Sequence, residues 1–446
     1  MSRLEGLPAE LRSLLLWSVP DLATLRSLVH ASPVMHAQYR CDRHGLLRAC
    51  LARDMDGFFN DACTTAMSRV HALGPPKTRD TIAVRETITA FLHSSYSAGL
   101  SPNIDSISSE SLYRMAAFHI SVARPLAYLY ARWALANLAD AAASSSAGPS
   151  HATSGQIGQS DLNLSRSEEV RIYRAIYRHE TFYHLFGQKE GRNDSAFHVT
   201  EVLSLFFHKF EPWESEAIWC INVFLKHAYS SIFETIRQDG AQSMYEHVSP
   251  WPEWKETAEF LQDTIALGLQ TSARLLQLTD PAELRSTAQE LLEPSKKQHA
   301  PAPARAAVEA PYTPAYMPFV LSQSCPYALR GLRLLDPDEE DDRDPRDEAE
   351  ARRDPIAFLG DDDDDAAAEA PPIAWVRLWS GRYSHLYGEN VPPTVQRWGY
   401  VMWDARRWDG LGALGLVARQ WQAAPAVGNW IETMYHWSPT EDGDCP

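Results

Sequence analysis

Three glycines near the C-terminus raise the first chemical question. Gly410-Leu411-Gly412-Ala413-Leu414-Gly415 spells GxGxxG, and Glu432 follows near the distance of a ribose-binding acid. A dinucleotide site needs an apolar strand directly before such glycines, so that the pyrophosphate lands on a helix N-terminus. Here Ala405-Arg406-Arg407-Trp408-Asp409 precede them and read as the end of an amphipathic helix, and only 31 residues remain after Gly415. The spacing keeps a nucleotide-cofactor enzyme as an alternative resting on Gly410, Gly412 and Gly415; the surroundings argue against it.

The other candidates for chemistry read the same way. Cys41, His44, Cys50 and Cys63 offer zinc donors without any paired-ligand spacing, so buried free thiols and a surface imidazole are expected. His179 and His184 stand five apart on one helical stretch and do not share a face. Asp361 to Asp365 lack the turn glycine and spaced ligands of a calcium loop. Trp398, Tyr400, Trp403 and Trp408 suggest a ligand groove. Trp398, Val401, Ala405 and Trp408, however, fall along one helical stripe, which favours core packing. There is no GxxxxGK[ST], HExxH, GxSxG or CxxC. The reading is of a protein that is not an enzyme, with no metal and no cofactor.

Charge points the same way. The formal net charge is −17, but residues 336–365 hold 16 Asp/Glu against 4 Arg and account for most of it. A run of this kind reads as a solvated, disordered tract. No basic stripe offsets it, which argues against nucleic acid. Six scattered cysteines without framework spacing favour reduced thiols and a cytoplasmic or nuclear location. No signal peptide and no run of 18 apolar residues is visible, so no membrane contact is expected.

The elements that must position these residues are helical throughout. Ser165-Arg166-Ser167-Glu168 has capping-box spacing, opens a helix carrying Val170, Tyr173, Ile176 and Tyr177, and Gly187 ends it. Ile218, Ile221, Leu225, Tyr229, Ile232 and Ile236 keep helical period after PWESEA. Residues 41–73 read as helix up to Gly74-Pro75-Pro76, Asp80 caps another, and Pro125 kinks or restarts a third. The Gly/Ser-rich stretch 140–164 reads as a disordered insertion. Eight of the 14 tryptophans lie after residue 371, too many to leave in water. The fold class is all-α. Residues 5–52 form a small N-terminal helical motif, 61–292 a helical region, 293–372 a Pro/Ala/acidic linker and 373–440 a Trp-rich segment completing the helical domain.

The N-terminal motif carries the functional reading. In LPAELRSLLLWSVPDLATLRSLVHASPVMHAQY, Pro8 starts one helix, Pro20 breaks it, Asp21 caps a second and Ser32-Pro33 a third. Leu7, Leu11, Leu14 and Leu15 share one stripe; Leu22, Leu25, Leu28 and Val29 share the next. Helices this short are marginal alone, so their apolar faces need a partner or the rest of the chain. The stretch resembles an F-box, and with LVHASPVMHAQY closing it, the chain is similar to F-box-like proteins of filamentous fungi, which carry an all-helical C-terminal region. EEVRIYRAIYRHETFYHLFGQ, PWESEAIWC and RWGYVMWD carry that likeness through most of the chain. The family's opening Leu-Pro falls on Leu7-Pro8, its acid and leucine on Glu10 and Leu11, its first-helix face on Leu14 and Leu15, and its second helix starts at Asp21-Leu22. The chain departs in a shorter connection before Asp21 and in Tyr39 standing where the family closes with tryptophan. The resemblance implies a substrate-recognition adaptor of a cullin–RING ubiquitin ligase. It would bind a Skp-type adaptor through Leu7, Pro8, Leu11, Leu14, Leu15, Leu22, Leu25 and Val29, and an unknown protein substrate through the remainder. The alternative within the same fold is a helical protein-interaction protein with no ubiquitin role.

Overall fold

The helix Arg166–Phe186 starts where its first turn satisfies its own donors. Ser165 Oγ accepts from the Glu168 amide at 3.3 Å, and Glu168 Oε2 accepts from the Ser165 amide at 3.1 Å. The Gly187 amide closes the other end on the Tyr183 carbonyl. Between them, apolar and charged side chains alike are buried, so neighbours surround this helix on nearly every side.

The computed structural model describes residues 4–72, 81–96, 107–143, 162–187, 197, 199–241, 261–262, 264–298, 317, 357–361, 370–379 and 391–423. Among them there are seventeen α-helices and no strand, an all-α architecture. In chain order they are α1 (Ala9–Ser18), α2 (Leu22–Ala31), α3 (Pro33–Cys41), α4 (Arg43–Asp54), α5 (Phe59–Ala72) and α6 (Thr81–Tyr96). Next come α7 (Ser109–Phe118), α8 (Arg124–Ala143), α9 (Arg166–Phe186), α10 (Val199–Leu205) and α11 (Pro212–Ala241). The series ends with α12 (Leu269–Leu276), α13 (Pro281–Gln298), α14 (Ile373–Trp379), α15 (Pro393–Arg397), α16 (Ala405–Gly410) and α17 (Ala413–Gln422). No helix among the described residues is long and apolar enough to cross a membrane.

Charges inside α9 dictate what surrounds it, because a buried ion without a partner costs several kcal/mol. Arg178 pairs with Asp61 of α5 at 2.8 Å and with Glu214 of α11 at 2.8 Å. Arg171 pairs with Asp361. Glu180 accepts from the Leu269 amide at the start of α12, 2.7 Å away, and meets His184 at 3.1 Å. Burial alone would push the Glu180 and Glu214 carboxyls up; His184 and the Leu269 amide, and the guanidiniums of Arg178 and Arg174, hold them below the ordinary range instead.

Several expectations need correcting. The helix expected over 41–73 breaks at Met55–Phe58, where Gly57 takes φ +79° and a Cβ would lie 2.9 Å from Val170 Cγ2. Of the insertion expected at 140–164, residues 140–143 belong to α8 and Leu162 is buried, while residues 144–161 lie outside the described residues. Asp361, expected in a solvated run, is buried against Arg171 and accepts from the Ala405 amide at 2.6 Å. Trp398, Val401 and Trp408 do not share one helix; α15 and α16 are separate, joined through Gly399 at φ +65°. Gly74-Pro75-Pro76, Asp80 and residues 362–369 lie outside the described residues.

The six described tryptophans after residue 371 lie in the core cluster shared with the central helices; Trp430 and Trp437 lie outside the described residues. Trp375, Trp398, Trp403, Trp408 and Trp421 are all fully buried, and Trp213 of α11 lies 6.2 Å from Trp375, centroid to centroid. Just before Pro125 the chain makes a π-helical turn, His119–Ala123, and α8 then starts at Arg124. Pro125 therefore stands in the first turn of α8, where its missing N–H costs nothing.

Candidate functional site

The N-terminal helices α1–α4 are held by their caps and tied into the body by α4. Asp21 Oδ1 accepts from the Thr24 amide at 2.7 Å, and Ser32 Oγ from the Met35 amide at 3.3 Å. Ser32 also donates to Glu5 at 2.8 Å. Asp54, at the end of α4, accepts the Leu22 amide at 2.9 Å and lies 3.7 Å from His119 Nε2. Arg53 reaches the Val19 carbonyl at 2.7 Å, and His119 Nδ1 lies 3.0 Å from the Tyr177 hydroxyl on α9. Burial pushes the His119 imidazole well below its ordinary pKa, against the pull of Asp54. A neutral ring therefore bridges the N-terminal helices to the central one.

That anchoring divides the predicted docking residues into two groups. On α1 only Leu16 is buried; Leu11 and Leu14 are 47% and 64% exposed, Pro8 is exposed, and Leu7 and Leu15 are half-buried. On α2 the expectation of an available stripe is corrected, because Leu22, Leu25 and Val29 are all buried. The period-3.6 pattern is the same in both helices; the difference is that α3 and α4 pack against α2. Trp17 and Leu4, also exposed at 37% and 43%, extend the α1 patch and were not singled out, although Trp17 follows Leu14 by one turn.

Leu22, Leu25 and Val29 line a groove of about 950 Å³ between α2, α3, α4 and α7. Its other lining residues include Arg26, His30, His36, Arg40 and Arg43 and no acid. The sequence did carry this signal: residues 22–41 hold four basic side chains and no Asp or Glu, in a chain with 58 acids.

The sites considered for chemistry are otherwise placed. Gly410 ends α16, Gly412 adopts φ +58° and Gly415 lies inside α17, so a helix, not a strand, precedes the three glycines. Cys50 and Cys63 are buried free thiols pushed up to about 12 by burial, while Cys41 is exposed. Among the described residues no three His, Cys, Asp or Glu side chains converge as metal ligands do. His179 is fully buried and His184 shares its ring with Ser68 at 2.9 Å and Glu180. Compared with protein-family models, curated proteins and solved structures, the chain matches none of them.

Proposed function

We propose that this protein is a substrate-recognition adaptor of a cullin–RING ubiquitin ligase that docks a Skp-type adaptor on α1. The observation that supports this reading is the outward face of α1. Leu11, Leu14 and Trp17 present contiguous apolar surface on a helix fixed from behind by Leu16, and nothing in the chain's described residues buries them. The docking set narrows accordingly to Leu7, Pro8, Leu11, Leu14, Leu15 and Trp17. Leu22, Leu25 and Val29 of α2 leave the set because they are buried.

Leu11→Asp with Leu14→Asp tests the proposal, because both side chains are already exposed and the fold has little reason to notice. In the complex each leucine contributes roughly 1.5–3 kcal/mol of burial, and each carboxylate adds a desolvation cost. Affinity should fall by at least about a hundredfold, at about 1.4 kcal/mol per factor of ten. The expected result is loss of the co-purifying Skp-type adaptor with a near-native melt. A wild-type chain that never retains the adaptor returns the protein to the reading of a helical interaction protein with no ubiquitin role.

A further inference from the structure

The groove between α2, α3, α4 and α7 has an aliphatic floor and a cationic rim. Leu25, Val29 and Leu47 are buried beneath it, while Arg26, Arg40 and Arg43 are exposed at its edge. None of these three guanidiniums has a carboxylate partner among the described residues; Arg43 lies instead over the Tyr113 ring, 4.0 Å from its centroid. In the rest of the molecule, buried arginines are matched by acids, as Arg178 is by Asp61 and Glu214. Here the acids are missing from the whole lining.

We propose that this groove binds an acidic peptide segment of a partner protein, with an apolar side chain set between carboxylates. Guanidiniums meet carboxylates in charge-assisted, often paired hydrogen bonds, and the aliphatic floor takes the apolar anchor out of water. A nucleic acid fits less well, because its phosphates run on past any short site and would gain nothing from the aliphatic floor. Helix α1 contributes no lining residue, so the inference does not rest on the adaptor proposal and stands or falls separately.

The test is a fluorescence-anisotropy titration of the full chain with a labelled peptide, Glu-Asp-Leu-Phe-Glu-Asp. Its controls are the same peptide with lysines for acids and a short oligo-dT. The expected result is saturable binding of the acidic peptide alone, weakening with salt. Arg26→Glu with Arg40→Glu should lower that affinity by at least about tenfold with an unchanged melt. Should the reversal disturb the fold, Arg26→Gln with Arg40→Gln should still give a smaller loss. Four results overturn the proposal: no binding by the full chain, equal binding of the lysine peptide, tighter binding of oligo-dT, or affinity indifferent to both double variants. A fifth does so too. If binding appears only after Asp338, Glu339, Glu340, Asp341 and Asp342 are changed to their amides, the groove belongs to the chain's own acidic tract.

Discussion

Arg407 grips both oxygens of Glu168: its Nε and Nη2 each lie 2.8 Å from one of them, across 239 positions of sequence. Glu168 is fully buried and also closes the capping box of α9, so one carboxylate fixes the central helix and the C-terminal segment together. Fork-to-fork pairing of this kind is the strong form of the ion pair. The Asp404 amide, 3.1 Å from Glu168 Oε1, adds to it.

Removing one partner should therefore cost more than removing both. Arg407→Met leaves a buried carboxylate short of its cation and should destabilise the protein by about 3 kcal/mol. Glu168→Gln in the same chain removes the charge that needed it and should recover part of the loss. Denaturant unfolding of the two single variants and the double closes the cycle. Additive losses would mean that the two groups do not act as a pair.

What the sequence disclosed and what it hid divide along local and non-local lines. Asp21, Ser32 and Ser165 could be read as caps because each contacts an amide three residues on. The capping box and the end of α9 at Gly187 were legible for the same reason. The break at Gly57 was not, since what leaves no room for a side chain there is Val170, far along the chain. Asp361 looked like one acid in a solvated run, and only the position of Arg171 makes it a buried partner. At the docking faces, periodicity showed that α1 and α2 are amphipathic but not which of them the body covers. The groove was visible only as a missing charge in residues 22–41.

Gly399 and Tyr130 supply a second check on how the C-terminal segment sits. Gly399 has φ +65°, and a Cβ there would overlap the Tyr130 hydroxyl. Gly399→Ala should cost roughly 1–2 kcal/mol from the left-handed backbone, and more from the overlap. The Tyr130 hydroxyl is buried without a hydrogen-bond partner among the described residues. Tyr130→Phe should consequently be neutral or stabilising by about 1 kcal/mol. It should also make Gly399→Ala cheaper than in the wild-type background. Thermal melts of the four chains measure this coupling, and equal penalties in both backgrounds would place the glycine elsewhere.

The last prediction concerns acid. His179 lies wholly buried on α9, beside the Tyr183 ring at 4.9 Å, and burial pushes its pKa from 6.5 down to about 4, against the pull of Glu180. A histidine depressed in the folded state takes its proton first in the unfolded chain. Stability from His179 is therefore complete above about pH 6.5 and falls as pH drops toward about 4, below which this group adds no further loss. At about 1.4 kcal/mol per pH unit, the window is worth about 3 kcal/mol. His119, depressed for the same reason, acts in the same direction. Glu180 and Glu214, held below the ordinary carboxylate range, extend the loss at lower pH. His179→Phe keeps an aromatic ring against Tyr183 and removes the titration. Urea unfolding at pH 7 and pH 5 should show a clearly smaller drop for the variant than for the wild type. Parallel losses in the two chains would mean that His179 is not the neutral, buried ring that α9 makes it.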